Sequence, residues 1–238
     1  MSEMRHNVDR AELAKFATRA AEWWDPHGAF KTLHDINPLR LSYIAERAPL
    51  RAARVLDVGC GGGLLSEAMT REGAQVIGSD LAEENLDVAR THAAASGLAI
   101  DYRCLAVEQL AAEEPASFDV VTCLELLEHV PEPDKIVAAC AAAVRPGGAV
   151  FFSTINRNVK SYLLAVIGAE YVLGMVPRGT HEYLKLVRPA ELARWCRAAG
   201  LEIRDLRGLH FNPVLRRYSV GGNVDVNYFA YAAKAATA

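Results

Sequence analysis

The chain has 238 residues, of which 51% are hydrophobic and 23% are charged, and its formal net charge is −3. This size and composition are typical of one globular domain with a sizeable core, and the charge balance disfavours nucleic acid as a partner. The five cysteines form no CxxC pair, which disfavours structural zinc and disulfides and favours free thiols in a reducing compartment. The polar N-terminus lacks the apolar core of a secretory signal.

The first 50 residues predict a helical cap. Asp9 followed by Glu12 is a capping-box pattern, and apolar residues recur after it at helical spacing. The adjacent Trp23 and Trp24 end this helical pattern. Two interpretations of the tryptophans stay open: they anchor the helix on a core, or they form a wall of a substrate pocket.

Short apolar strands and helices alternate from residue 54 onward, which predicts an α/β fold. The predicted strands cover residues 54–58, 75–80, 100–104, 118–124 and 149–154, followed by two near 201–209 and 224–232. The predicted helices cover residues 64–71, 83–96, 134–144 and 189–199. We therefore expect a doubly wound, mostly parallel, seven-stranded sheet in a single domain over residues 1–238, with a helical insertion at 157–188 after the fifth strand.

The insertion contains an apolar stretch at residues 161–176. Glu170 interrupts it, and it is shorter than the roughly 20 apolar residues that span a bilayer. Basic residues flank the stretch on both sides, namely Arg157, Lys160, Arg178 and Lys185. Basic flanks around an apolar middle are typical of an element that lies in a membrane interface, but a lid packed over an active site has the same pattern.

A glycine turn, DVGCGGG, stands where the first predicted strand meets the first following helix. Glycines such as Gly59 and Gly61 let the backbone turn tightly and approach a ligand closely. Asp80 ends the next strand about 20 residues on, where a carboxylate reaches ribose hydroxyls. Leu64 replaces the third glycine of GxGxxG, which disfavours a dinucleotide and hence a nicotinamide dehydrogenase. Asp57 would repel a pyrophosphate but can accept from an amino group, which favours a phosphate-free cofactor with a cationic methionine end.

A second polar group, ELLEH, directly follows the fourth predicted strand. In a helical turn Glu125, Glu128 and His129 would share one face, and two carboxylates with an imidazole can bind a divalent ion such as Mg²⁺. A metal would favour the ionised form of a phenolic acceptor, while His129 could instead act as the general base. A solvated, acidic helix start is the remaining interpretation.

These motifs resemble the class I S-adenosylmethionine-dependent methyltransferases. A closer resemblance is to the bacterial ubiquinone biosynthesis O-methyltransferase family, because the similar stretches run nearly from end to end of the chain. They include LHDINPLRLSYIAERA, VLDVGCGGGLLSEAM, DVVTCLELLEHVPEP, RPGGAVFFSTINRN and GLHFNP. The resemblance implies methyl transfer from S-adenosylmethionine to a phenolic hydroxyl of polyprenyl catechols, at both O-methylation steps of ubiquinone synthesis.

The resemblance also assigns residues. Arg40 in NPLR matches a residue that contacts the cofactor, and an arginine suits the methionine carboxylate. The alternative interpretation of Arg40 is a surface salt bridge. Gly59 matches the turn glycine, Asp80 the ribose-binding acid, and Leu124 a residue that lines the cofactor site. The resemblance to eukaryotic members of the family implies that the E-x-x-E-H arrangement of Glu125, Glu128 and His129 binds a magnesium ion.

The expected partners follow from the same resemblance. They are a polyprenyl phenol or quinol substrate, the anionic surface of a membrane, and other ubiquinone-synthesis proteins, with no nucleic acid. The expected location is cytoplasmic, at the inner face of the cell membrane. A cofactor-binding module without catalytic activity is the alternative from a different functional class, and the acids after the fourth strand disfavour it.

Overall fold

A computed structural model describes residues 7–158, Ser161 and residues 183–236 of the chain. Seven α-helices lie within these ranges. They are α1 (Arg10–Ala17), α2 (Lys31–Ala45), α3 (Leu64–Arg71), α4 (Glu83–Ala95), α5 (Val107–Glu113), α6 (Pro133–Ala143) and α7 (Pro189–Ala198). Short 3₁₀ turns lie at Ala20–Glu22, Leu127–His129 and Tyr183–Lys185.

The strands of the same ranges form one eight-stranded sheet. They are β1 (Arg54–Val58), β2 (Gln75–Asp80), β3 (Asp101–Cys104), β4 (Phe118–Leu124), β5 (Val144–Ile155), β6 (Leu201–Asn212), β7 (Arg217–Gly221) and β8 (Asn227–Lys234). The spatial order is β3-β2-β1-β4-β5-β8-β6-β7. Strands β1 to β5 pair in parallel, and β8, β6 and β7 continue the sheet in antiparallel pairs.

The order of the parallel strands reverses between β1 and β4, which creates a crevice at their carboxyl ends. The helices pack on both faces of the sheet. On one face α5, α6 and α7 contribute Leu110, Val137 and Leu192 to the core, and on the other α2 and α3 contribute Ile44 and Met69. Burying side chains of this size stabilises the fold by about 1.5–3 kcal/mol each.

The structure confirms the predicted α/β, doubly wound, mostly parallel fold. The predicted number of strands, seven, was one too low. The additional strand is β7, which pairs with the end of β6 through Gly208 to Asn212. Its exposed residues lack the apolar alternation that reveals a half-buried strand, so only the pairing partner shows it. Helix α5 was likewise absent from the predicted elements.

Most of the predicted insertion at 157–188 lies outside the described residues, including Lys160, Arg178 and all of the apolar stretch except Ser161. Within the described ranges, no helix combines the length and the apolar character needed to cross a membrane.

Candidate functional site

A cavity of about 820 Å³ opens at the carboxyl ends of β1, β2 and β4. The glycine turn, the ELLEH segment and the N-terminal helices all contribute to its wall, and β6 closes one side with His210 and Phe211. The fold therefore brings both polar motifs of the sequence into one space.

The glycine turn has the backbone geometry that glycine favours. Gly59 and Gly61 have φ angles of 68° and 53°, in the left-handed region that other residues rarely adopt. The amides of Gly59 and Cys60 donate to the carbonyl of Ser79, at 2.8 and 3.0 Å, which ties the turn to β2. A Cβ on Gly61 would lie 2.4 Å from the ring of Trp23, so no larger residue fits there.

Trp23 joins the N-terminal cap to the glycine turn. Its indole Nε1 donates to Asn85 Oδ1 at 2.9 Å, and its ring stacks on Phe30 with 4.0 Å between centroids. The side chain is buried and also lines the cavity, so both interpretations of the tryptophan pair apply to it. Trp24 donates to the carbonyl of Gly62 at 2.9 Å and strengthens the same contact.

Two carboxylates flank the turn, of which Asp57 is buried and Asp80 is partly buried. Asp57 accepts from Ser66 Oγ at 2.6 Å and from Thr122 Oγ1 at 2.7 Å. Asp80 accepts from the amide of Gly61 at 2.9 Å and from the amide of Ala82 at 2.8 Å. Each carboxylate oxygen has two acceptor positions, so both acids keep capacity for a ligand while their orientation is fixed.

The predicted cofactor arginine points into the protein. Arg40 is 5% exposed and forms an ion pair with Glu125, whose other oxygen accepts from Ser153 Oγ at 2.6 Å. The Nε–H of Arg40 is buried without a hydrogen-bond partner in the described structure. A surface salt bridge is thus excluded, and the unpaired donor of a guanidinium in the cavity wall suits a ligand carboxylate.

The cavity holds an excess of negative charge close to the turn. Burial raises the pKa of Asp57, Asp80 and Glu125 above the usual range of carboxyl groups, although hydrogen bonds and Arg40 act in the opposite direction. A cation that binds beside such a carboxyl group favours its ionised form. The electrostatics favour a positively charged ligand and disfavour a pyrophosphate, as the sequence predicted.

The three residues of the ELLEH segment have separate partners. Glu125 pairs with Arg40, Glu128 accepts from Thr154 Oγ1 at 2.8 Å, and His129 Nδ1 lies 3.0 Å from Glu12 Oε2. All three line the cavity, and Glu128 Oε1 is a buried oxygen without a partner in the described structure.

The magnesium site predicted from Glu125, Glu128 and His129 is not formed by these side chains. Within the described ranges, no group of three His, Cys, Asp or Glu side chains could hold a metal ion. The prediction assumed one regular helical turn, but the 3₁₀ turn begins at Leu127 and Glu125 has a φ of 50°. The left-handed backbone at Glu125 directs its carboxylate to Arg40, so the three side chains do not share one helical face. The residues present do not fit a resident metal ion.

Leu124 ends β4 and lines the cavity. Its position beside the glycine turn allows apolar contact with a ligand bound there. Glu12 is a cavity residue whose role the sequence did not reveal. The sequence signal for Glu12 was only its place in a capping-box pattern.

Comparison with known proteins agrees with this site. A model of the methyltransferase domain family matches residues 4–206. The crystal structure of magnesium protoporphyrin IX methyltransferase from Synechocystis with bound SAH is 19% identical, with a TM-score of 0.69 over 95% of this chain and 100% of that chain. The fold is that of the class I S-adenosylmethionine-dependent methyltransferases, and the predicted cofactor, S-adenosylmethionine, is confirmed.

Curated relatives identify the family to which the chain belongs within this class of methyltransferases. A ubiquinone biosynthesis O-methyltransferase from Nitrosococcus oceani is 57% identical over 98% of this chain and 99% of its own length. One of the same name from Paracidovorax citrulli is 59% identical over 96% of both chains. The chain belongs to the ubiquinone biosynthesis O-methyltransferase family, which confirms the resemblance seen in the sequence.

Proposed function

We propose that the chain transfers a methyl group from S-adenosylmethionine to a phenolic hydroxyl of polyprenyl catechol and demethylubiquinol intermediates, at both O-methylation steps of ubiquinone biosynthesis. The observation that carries the proposal is the single cavity that joins the glycine turn to His129. The names of the curated relatives support the substrate class. The cavity volume lies toward the upper end of the roughly 300–1,000 Å³ found for ligand sites, which leaves room for two ligands.

The cofactor is assigned to the β1–β2 side of the cavity. Gly59 and Gly61 let the backbone approach it, and Asp80 accepts from the ribose hydroxyls. Asp57 faces the amino group, and Arg40 donates to the methionine carboxylate. Leu124 completes the set of residues that contact the cofactor. The buried, partnerless Nε–H of Arg40 and the raised pKa values of the acids support this orientation.

His129 is assigned as the general base. A phenol with a pKa near ~10 is mostly neutral at pH 7, and its oxygen becomes a strong nucleophile only when the proton leaves. The imidazole takes that proton, and the oxygen lone pair forms the new bond to the methyl carbon. S-adenosylmethionine supplies the methyl group on a positively charged sulfur, which keeps the electron pair of the broken bond and leaves as a neutral thioether.

Glu125 and Glu128 are assigned supporting roles in the same reaction. Glu125 holds Arg40 in the cavity wall, and it does so from a strained left-handed conformation. Glu128 Oε1 is a buried acceptor without a partner in the described structure, which supports its assignment as the acceptor for the second hydroxyl of a catechol. The magnesium role expected from the resemblance is not assigned, because the three side chains of the ELLEH segment have separate partners.

A membrane surface is the proposed source of the substrate, because a polyprenyl chain partitions into the bilayer. The β6–β7 hairpin supports this: Val214 and Leu215 at its tip are 88% and 66% exposed, and Arg216 and Arg217 follow them. The hairpin also contributes to the cavity wall. Exposed apolar residues beside arginines suit an anionic interface. We place the chain at the cytoplasmic face of the cell membrane, where other ubiquinone-synthesis proteins are candidate partners.

The test is a methylation assay with a short-tailed demethylubiquinol and with the corresponding catechol. The wild-type chain is expected to methylate both, and His129→Ala is expected to lose about 10²-fold to 10⁴-fold in kcat with unchanged affinity for S-adenosylhomocysteine. Parallel assays with EDTA and with added Mg²⁺ report on the metal. Failure of the wild type to methylate either acceptor would contradict the proposal, and activity that EDTA removes and Mg²⁺ restores would contradict the assignment of His129 as a base that acts without a metal ion.

A further inference from the structure

Glu12 reaches the reacting end of the cavity from the N-terminal cap. In the sequence it completes a capping box with Asp9, but in the structure Asp9 alone accepts from the first amides of α1. The Glu12 side chain turns inward and is buried, with Oε2 3.0 Å from His129 Nδ1. A residue 117 positions away in the sequence thus contacts the proposed base.

The contact determines which imidazole nitrogen carries hydrogen. An ionised carboxylate only accepts hydrogen bonds, so His129 Nδ1 must be the donor and the neutral ring has its lone pair on Nε2. The hydrogen bond from His129 and the charge of Lys15 lower the pKa of Glu12 to about 2, against the effect of burial, so the carboxylate is ionised near neutral pH. Phe16 packs edge-on against the imidazole at 5.1 Å and restricts its rotation.

Other contacts hold α1 in place without Glu12. The Asn7 side chain donates to the carbonyl of Glu132 at 2.7 Å and accepts from its amide at 2.9 Å. Asp9 pairs with Lys185 at 3.1 Å. Because these bonds anchor both the helix and the loop after β4, loss of the Glu12 carboxylate leaves the cap attached.

We propose that Glu12 is a positioning residue for methyl transfer: it holds the His129 ring through Nδ1–H and directs Nε2 to the acceptor hydroxyl. The same carboxylate stabilises the imidazolium that forms when Nε2 takes the phenolic proton. This inference rests on the proposed function, in which His129 is the base.

The kinetic test compares Glu12→Gln, Glu12→Asp and the control Lys15→Met. Lys15 and Lys185 also form ion pairs with Glu12, at 2.8 and 3.5 Å, so the control removes one ion pair and leaves the histidine contact. Glu12→Gln is expected to lower kcat at least about 10-fold, and less than the 10²-fold to 10⁴-fold range for loss of a whole base. The KM of both substrates is expected to stay within about twofold, because Glu12 is assigned no contact with either. Glu12→Asp is expected to retain more activity than Glu12→Gln, and Lys15→Met to match the wild type.

The second readout is ¹⁵N NMR of His129 at a pH where the ring is neutral, which does not depend on turnover. The wild type is expected to show the Nδ1–H tautomer, and Glu12→Gln a shift toward Nε2–H. An Nε2–H tautomer in the wild type, or equal kcat in wild type and Glu12→Gln, would overturn the inference. An inactive wild type would contradict the proposed function instead, and the NMR result would still decide the contact between Glu12 and His129. Should Glu12→Gln fail to fold, the wild-type tautomer and the Glu12→Asp kinetics decide the question.

Discussion

Single residues in this cavity obtain their roles from partners that are distant in the sequence. Arg40 and Glu125 are 85 positions apart and form one buried ion pair, and Glu12 contacts His129 across 117 positions. A buried ion pair that loses one member leaves an uncompensated charge, which is strongly destabilising. The glycines of the turn do not depend on distant partners in this way, because their own backbone conformation already requires glycine.

The first residue-scale prediction concerns Gly61. The change Gly61→Ala adds a Cβ 2.4 Å from Trp23 at a φ of 53°. The strained backbone costs about 1–2 kcal/mol of unfolding free energy, and the steric conflict adds about 1–3 kcal/mol. We also expect affinity for S-adenosylhomocysteine to fall at least about 10-fold, equivalent to about 1.4 kcal/mol. Urea unfolding and calorimetric titration measure the two effects.

Gly97 provides the matched control for this prediction. It has a φ of 68°, and a Cβ there would meet nothing within 4 Å. Gly97→Ala is therefore expected to show only the backbone cost, with unchanged cofactor affinity. If both variants lost stability and affinity equally, the packing of Trp23 on the turn would have no part in cofactor binding.

At the scale of elements, the two ends of the β6–β7 hairpin have different surroundings. Its inner side carries His210 and Phe211 to the cavity wall, and its tip carries two exposed apolar side chains. Asn212 Oδ1 accepts from the amides of Val214 and Leu215, both at 3.0 Å, so the tip has a defined shape. An element that lines the cavity and also meets the bilayer would shorten the path of a lipid substrate.

The element-scale prediction is that Val214→Asp/Leu215→Asp weakens binding to phosphatidylglycerol-rich vesicles. Burying each apolar side chain contributes about 1.5–3 kcal/mol, so partitioning is expected to fall at least about 10-fold. Cosedimentation measures the effect, and activity on a short-tailed soluble acceptor is expected to stay unchanged. The control is Ala94→Asp/Ala95→Asp, which adds the same charge at exposed positions near the end of α4. Equal vesicle binding by the two folded variants would show that the hairpin does not contact the membrane.

At the scale of the whole molecule, the N-terminal cap and the sheet share the cavity. Trp23 lies on the glycine turn, and α1 contacts the loop after β4 through Glu12 and Asn7. A ligand that fills the cavity would therefore contact both parts. Since each part completes the other's packing, we expect the predicted single domain to unfold as one unit.

The whole-molecule prediction is that the chain unfolds in a single thermal transition and that a bound ligand raises the midpoint of that whole transition. At 100 times its Kd, S-adenosylhomocysteine adds about 2.7 kcal/mol, which raises the Tm by about 5–10 °C for a chain of this size. In a Trp195→Phe variant, tryptophan fluorescence reports only on Trp23 and Trp24 in the cap, while far-UV circular dichroism reports on the whole fold. The two transitions are expected to coincide with and without ligand. An earlier fluorescence transition would show that the cap unfolds independently.

The sequence by itself determined the α/β class, most of the parallel strands and the position of the cofactor turn. These features are local: a buried strand is apolar along its length, and a tight turn needs glycine. The replacement of the third glycine by Leu64 and the acids around the turn also identified the type of cofactor. Similarity along nearly the whole chain identified the family.

The tertiary structure decided what local patterns do not encode. Spacing alone placed Glu125, Glu128 and His129 on one helical face, but the left-handed backbone at Glu125 directs them to three different partners. The capping pattern explained Asp9 and not Glu12, because the partner of Glu12 comes from a loop more than a hundred residues away. Contacts between distant segments depend on how the sheet orders its strands, and that order arises only when the two core layers pack.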